Sequence, residues 1–151
     1  MPKFYSKIKA IASIEHEVSG ATAGDVGMGA EVVYFGGATN MATGGVYYFN
    51  NSGGWTPANA TTEAGASGLL AVALGGSSDV NGMLLRGMVT IVDIDGTEDE
   101  GKILFLKAEN GMTTTTVPTT ATHIVRILGY LLDNSSDKIW FNPDNTFVEI
   151  D

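Results

Sequence analysis

The stretch "GYLLDNSSDKIWFNPDNTFVEID", Gly129 to Asp151, decides the fold class. Aromatic and aliphatic residues come in short runs, split by two turn clusters: Asn134-Ser135-Ser136-Asp137 and Asn142-Pro143-Asp144-Asn145. Asn, Asp, Ser and Pro reverse the chain by bonding their own backbone or fixing φ. The runs between them, "KIWFN" and "TFVEI", are too short for helices and rich in residues that fit a pleated surface. The expectation is therefore strands that keep the C-terminus seated in a sheet.

The same grammar extends upstream. "AEVVYFG" (Ala30–Gly36), "GVYYFN" (Gly45–Asn50), Trp55-Thr56, "GKILFLKA" (Gly101–Ala108) and "HIVRILGYLLD" (His123–Asp133) all read as strands bounded by turn residues. "GLLAVALGG" (Gly68–Gly76) is an unbroken apolar run between glycines, as in a strand buried on both faces. "GMLLRGMVTIVDI" (Gly82–Ile94) reads as one long strand, or as two with a bend at Gly87. No interior helix is expected. Short strands at this turn spacing predict an all-β domain, a small β-barrel or sandwich, over 30–151. Residues 1–29 read as an extended N-terminal arm followed by the glycine-rich linker "SGATAGDVGMG". In the arm, Ile8, Ile11, Ile14 and Val18 recur at helical spacing, while "KIKAIASIEHEV" also alternates like a strand.

Two stretches share one order. Gly45–Gly75 runs strand, polar turn, Gly-Trp-Thr, Thr-rich loop, buried strand. Gly101–Tyr130 repeats that order with Gly-Met-Thr. Either the domain holds a structural duplication, or two hairpins obey the same turn rules.

Composition narrows the function. The 151 residues suit one domain with a sizeable core, and 44% of them are apolar against 17% charged. A net charge of −9 repels phosphate backbones, so no nucleic-acid partner is expected. Three lysines, Lys3, Lys7 and Lys9, make the start of the arm locally basic. They form a solvated end, or an arm that docks on an acidic partner. With no cysteine, disulfides and thiolate metal sites are excluded. No apolar run approaches the roughly 20 residues of a membrane helix, and "IKAIASI" makes a poor signal peptide, so no membrane is expected.

Catalytic groups are sparse. His16 lies between Glu15 and Glu17, but in an extended chain those neighbours project to the opposite face. His123 opens a strand with no sequence partner to make it a base. "DIDGTEDE" (Asp93–Glu100) opens like a calcium loop and then fails that spacing; it reads as a solvated hairpin tip between two strands. Asp93 and Asp95 are the nearest thing to the acidic pair of a hydrolase. No metal, no cofactor and no catalytic constellation are expected. Arg86 and Arg126 sit inside hydrophobic strands, where arginine pairs with a carboxylate or projects into an interface. Trp55, Trp140 and Tyr48 suit core packing, a subunit interface or a sugar-stacking face.

Gly82-Met83-Leu84-Leu85-Arg86-Gly87 and Trp140-Phe141-Asn142-Pro143-Asp144 carry a resemblance that extends in pattern from Ala30 to Ile150. The chain resembles a β-rich module of tailed-phage structural proteins, found in capsid decoration (cement) proteins and in tail fibres. The resemblance implies a non-enzymatic virion protein, assembled in the host cytoplasm on a major capsid protein or another virion protein. It implies a homo-oligomer, a trimer by analogy with local three-fold positions. The expected contact residues are Lys3, Lys7, Lys9, Tyr47, Tyr48, Trp55, Arg86 and Trp140. A tail-surface subunit and a carbohydrate-binding module are the alternatives.

Overall fold

A computed structural model describes residues 22–27, 29–92, 94–95 and 100–151. The arm with Lys3, Lys7, Lys9 and His16 lies outside the described residues, as does most of Asp93–Glu100.

The described residues form a nearly all-β fold, an antiparallel sheet curled into a half-barrel. Its strands are β1 (Glu31–Val33), β2 (Val46–Phe49), β3 (Trp55–Pro57), β4 (Leu70–Ala73), β5 (Met83–Thr90), β6 (Ile94–Asp95), β7 (Ile103–Leu106), β8 (Thr113–Thr114), β9 (Ile124–Asp133), β10 (Lys138–Phe141) and β11 (Phe147–Glu149). Their order across the sheet is β3-β2-β4-β5-β10-β9-β7-β8-β6, with β1 on β5 and β11 on β9.

That order contains a repeat. In the unit β2–β5, the first strand pairs with the second and the third, and the third pairs with the fourth. The unit β7–β10 has the same connections. The two fourth strands, β5 and β10, pair antiparallel at the centre, with Phe141 opposite Gly87 and Trp140 opposite Met88. The likeness between the two sequence stretches is thus matched in connectivity and extends to a fourth strand. Both motifs that carry the resemblance meet at this central pair. Backbone hydrogen bonds also join the units at their far ends: Val46 N–H to the Gly111 carbonyl (3.0 Å), Gly111 to Ala58 (2.7 Å), Ala60 to Lys107 (2.9 Å) and Ile124 to Ala60 (2.7 Å). Tied at the centre and again at the rim, the sheet has to curl.

Two expectations need correction. The chain does contain a helical turn, α1 (Glu63–Ala66), where the Thr62 hydroxyl accepts from the Gly65 N–H at 3.1 Å. Four residues are too few to print a 3.6-residue period, and the N-cap supplies what length does not. A second single turn, a 3-10 turn at Asn134–Ser136, links β9 to β10. The hairpin expected around Asp93–Glu100 is also replaced: β6 pairs in parallel with β8, not with β7. Within Gly82–Ile94, β5 runs unbroken through Gly87 from Met83 to Thr90, and Ile94 opens β6. Strand β5 changes phase near Gly87, so that Leu84 and Val89 both reach the main core. Of the stretch read as a linker, residues 24–27 hydrogen-bond to β5 at Met88 and Thr90.

The main core lies on the concave face. It takes Val46, Leu70, Val72 and Leu84 from the first unit and Leu104, Leu128, Leu131, Ile139 and Phe141 from the second. A smaller cluster of Met41, Tyr47, Trp55, Ala71, Ala73 and Met83 covers the opposite face of the first unit only. Alternate residues of β4 join the two clusters, so all four are buried, as expected for Gly68–Gly76.

Candidate functional site: the outer face of the second unit

The smaller cluster exists because the segment from Val33 to Met41 lies over the first unit. Its backbone is held by Asp79 and Ser78: the Gly37 N–H donates to Asp79 Oδ1 (3.0 Å) and the Ala38 N–H to Ser78 Oγ (3.0 Å). Beneath it, Trp55 Nε1 donates to the Phe35 carbonyl at 2.9 Å, and the rings of Phe35, Phe49 and Trp55 pack at 5.0–5.4 Å. Tyr47, equally buried, accepts from the Ala42 N–H through its hydroxyl at 2.7 Å. Trp55 is only 7% exposed and Tyr47 only 6%. Most of each ring surface is therefore packed inside the chain.

No described segment lies over the corresponding face of the second unit. There the cross-strand register aligns Ile103, Tyr130, Trp140 and Met88 in one row over β7, β9, β10 and β5. Ile103 is 40% exposed and Tyr130 48%, and Leu132 continues the apolar surface along β9. Trp140 and Met88 are half-buried. The guanidinium of Arg86 stands 5.8 Å from the Trp140 ring centroid, a cation–π contact at the edge of the row. An apolar row ending in an arginine over a tryptophan has the composition of an interface centre.

The expected contact residues therefore separate. Arg86 and Trp140 come together on the outer face of the second unit, Tyr48 is half-buried at the far end of β2, and Tyr47 and Trp55 are buried. Ile103, Tyr130 and Met88 were not singled out in the sequence. The alternation of β9 carries a trace of them, but a change of phase at Gly129 breaks the simple period.

Arg126 answers differently from Arg86. It is 2% exposed on β9, and its partners are backbone carbonyls. Nη1 donates to Ala66 (2.8 Å) and Ser67 (3.0 Å), while Nη2 donates to Asp144 and reaches Gly68 at 3.5 Å. Burial holds its pKa below the usual guanidinium value, and the nearby Asp144 opposes that shift. A guanidinium remains charged through any ordinary pH, so Arg126 is a fixed cation pinning the α1–β4 connection and the turn before β11.

Among the described residues no group of three or more His, Asp or Glu side chains is placed to hold a metal. His123 is half-buried beside Lys107 at the rim of the second unit. Searches of family models, curated proteins and solved structures return no match for the chain.

Proposed function

We propose that the chain is a non-enzymatic virion structural protein that decorates or cements a capsid surface as a homo-oligomer. The observation that carries the reading is the exposed apolar pair Ile103 and Tyr130 in the row Ile103–Tyr130–Trp140–Met88 on the second unit, a row over which no described segment lies. Among the described residues the chain covers the equivalent face of the first unit and not that of the second, where Ile103 and Tyr130 stand exposed, an apolar surface that suits another molecule. Closed symmetry hides one such patch on every copy. The sequence motifs Gly82–Gly87 and Trp140–Asp144, which resemble those of tailed-phage structural modules, support the virion setting, and they contribute Arg86 and Trp140 to this face. Three copies suit the local three-fold positions of an icosahedral shell.

Cryo-microscopy of the intact particle tests the proposal. The expected result is density for this half-barrel at symmetry-related sites on the capsid, with the Tyr130–Trp140 face buried. Density on the tail transfers the role to a tail-surface subunit. Particles that contain no copy of the chain overturn the virion reading.

A further inference from the structure

The repeat places a cleft at the same point of each unit, at the end of the first strand and beneath the connection from second strand to third. In the second unit it measures about 260 Å³ and is lined by Lys107, several threonines and His123. In the first it measures about 540 Å³, and its lining differs in kind. Tyr48 and Phe49 come from β2, Asn51 and Ser52 from the turn after it, Glu63 from α1, and Ser67 and Gly68 from the α1–β4 connection. Among the described residues the two clefts follow the repeat but differ in lining, aromatic and mixed polar in the first unit, threonine-rich with Lys107 and His123 in the second.

The walls of the larger cleft are set in advance. Asn50 Oδ1 accepts from the Ser52 N–H (2.9 Å) and the Gly54 N–H (3.1 Å), and its Nδ2 donates to Thr56 Oγ1 (2.8 Å). Thr62 caps α1, and Arg126 holds the Ala66 and Ser67 carbonyls from behind. The side-chain groups of Tyr48, Asn51, Ser52, Glu63 and Ser67 make no hydrogen bond among the described residues. What remains available is an amide, a carboxylate, three hydroxyls and aromatic carbon, on a frame already held in place.

We infer that this cleft binds a neutral saccharide. Among the described residues the lining has no Lys, Arg or His, and Glu63 adds to a net charge of −9, so an anion is disfavoured. One carboxylate is too few for a hard cation. A purely apolar ligand strips water from the polar groups without replacing their hydrogen bonds. A sugar ring offers what the lining lacks: hydroxyls that donate and accept, and a C–H face for aromatic carbon. The inference is independent of assembly into a particle, because the cleft lies within one copy and apart from the Tyr130–Trp140 face.

Saturation-transfer NMR on the full chain, with a panel of neutral mono- and disaccharides at about 10 mM, tests it. Transfer to ring protons of at least one sugar is expected, with a dissociation constant in the millimolar range or tighter. Gly68→Trp is the blocking variant: a β-carbon at Gly68 meets no atom within 4 Å, and no positive φ demands glycine there, so the fold tolerates it. It abolishes transfer while the thermal midpoint stays at that of the wild type. Glu63→Gln, on an exposed side chain, weakens binding at least tenfold. No transfer to any sugar overturns the inference. So does binding unchanged in both variants, or a preference for acidic sugars or inorganic phosphate over neutral ones.

Discussion

The carbonyl oxygen of Trp140 lies 1.8 Å from where a β-carbon on Gly129 would stand. Gly129 has φ +145 and pairs with Phe141, which pairs on its other side with Gly87 at φ +139. The central strand β10 is thus flanked by two glycines in one cross-strand row, and the clash at Gly129 is with backbone, which cannot swing away.

Gly129→Ala is therefore expected to lower stability by about 4 kcal/mol or to prevent folding, an exceptional loss for one methyl. Gly37→Ala is the control. Gly37 also has a positive φ, +59, but a β-carbon there meets nothing within 4 Å, so only the backbone penalty of about 1 kcal/mol applies. Urea unfolding of the two variants separates close approach from conformational preference. Equal losses would refute the geometric argument.

Arg126→Met keeps an apolar stem of similar bulk, ends about where the guanidinium begins, and removes the charge. The carbonyls of Ala66, Ser67 and Asp144 then lose their donor in a buried place. A loss of about 3 kcal/mol is expected. Hydrogen exchange should quicken together at residues 66–70 and 144–149, although these segments are far apart in sequence. Quickening at only one of them would show that Arg126 does not tie the two.

Asp133 gives a pH response. Its carboxylate accepts from the Ser135 N–H (2.9 Å) and from the hydroxyls of Ser135 and Ser136 (2.6 Å each). The hydroxyl of Ser135, then that of Ser136, holds its pKa below the usual aspartate value. A depressed folded-state pKa means that the stabilisation is present above the unfolded-state value and disappears as pH falls through the folded-state value. The β9–β10 turn should therefore loosen only on acidification below the normal aspartate range. The Ser135 amide resonance should titrate there, and Asp133→Asn should remove the transition. Titration at or above the ordinary aspartate pKa would contradict the hydrogen-bond assignment.

Association through the second unit has a salt signature. A charge of −9 per copy opposes contact, and screening over about 10 Å at 0.1 M ionic strength relieves it. Light scattering of the wild type should give a mass that rises to a multiple of 15.8 kDa as salt is raised. Tyr130→Glu, on a side chain 48% exposed, should stay monomeric while its own stability changes by about 0.5 kcal/mol or less. A wild type that remains monomeric at tens of micromolar and high salt would refute a preformed oligomer.

Some of this was legible in the residues. The Asn/Asp/Ser/Pro clusters at Asn134–Asp137 and Asn142–Asn145 fall between β9, β10 and β11, where a strand reading puts them. The apolar run Gly68–Gly76 holds a strand buried on both faces. Other features left no usable trace. Tyr47 and Tyr48 look alike in sequence, yet Tyr47 is buried and Tyr48 opens onto a cleft. Trp55 and Trp140 differ as sharply, because the segment Val33–Met41 folds over one and nothing described folds over the other. Arg86 and Arg126 share a hydrophobic setting, but one stacks on a ring and the other holds carbonyls about sixty residues away.

The sequence by itself determined the alphabet of the fold: strands where side chains alternate, turns where Gly, Asn, Asp and Pro cluster, and two stretches written in the same order. Those are properties of a few neighbouring residues, set by local sterics and hydrogen bonding. Only the tertiary structure decided that β5 pairs with β10, that β6 runs parallel to β8, and that Ile103, Tyr130 and Leu132 of the second unit stand exposed. Such outcomes depend on which buried surfaces meet across long separations, and one phase change beside a glycine such as Gly129 moves every following side chain to the other face.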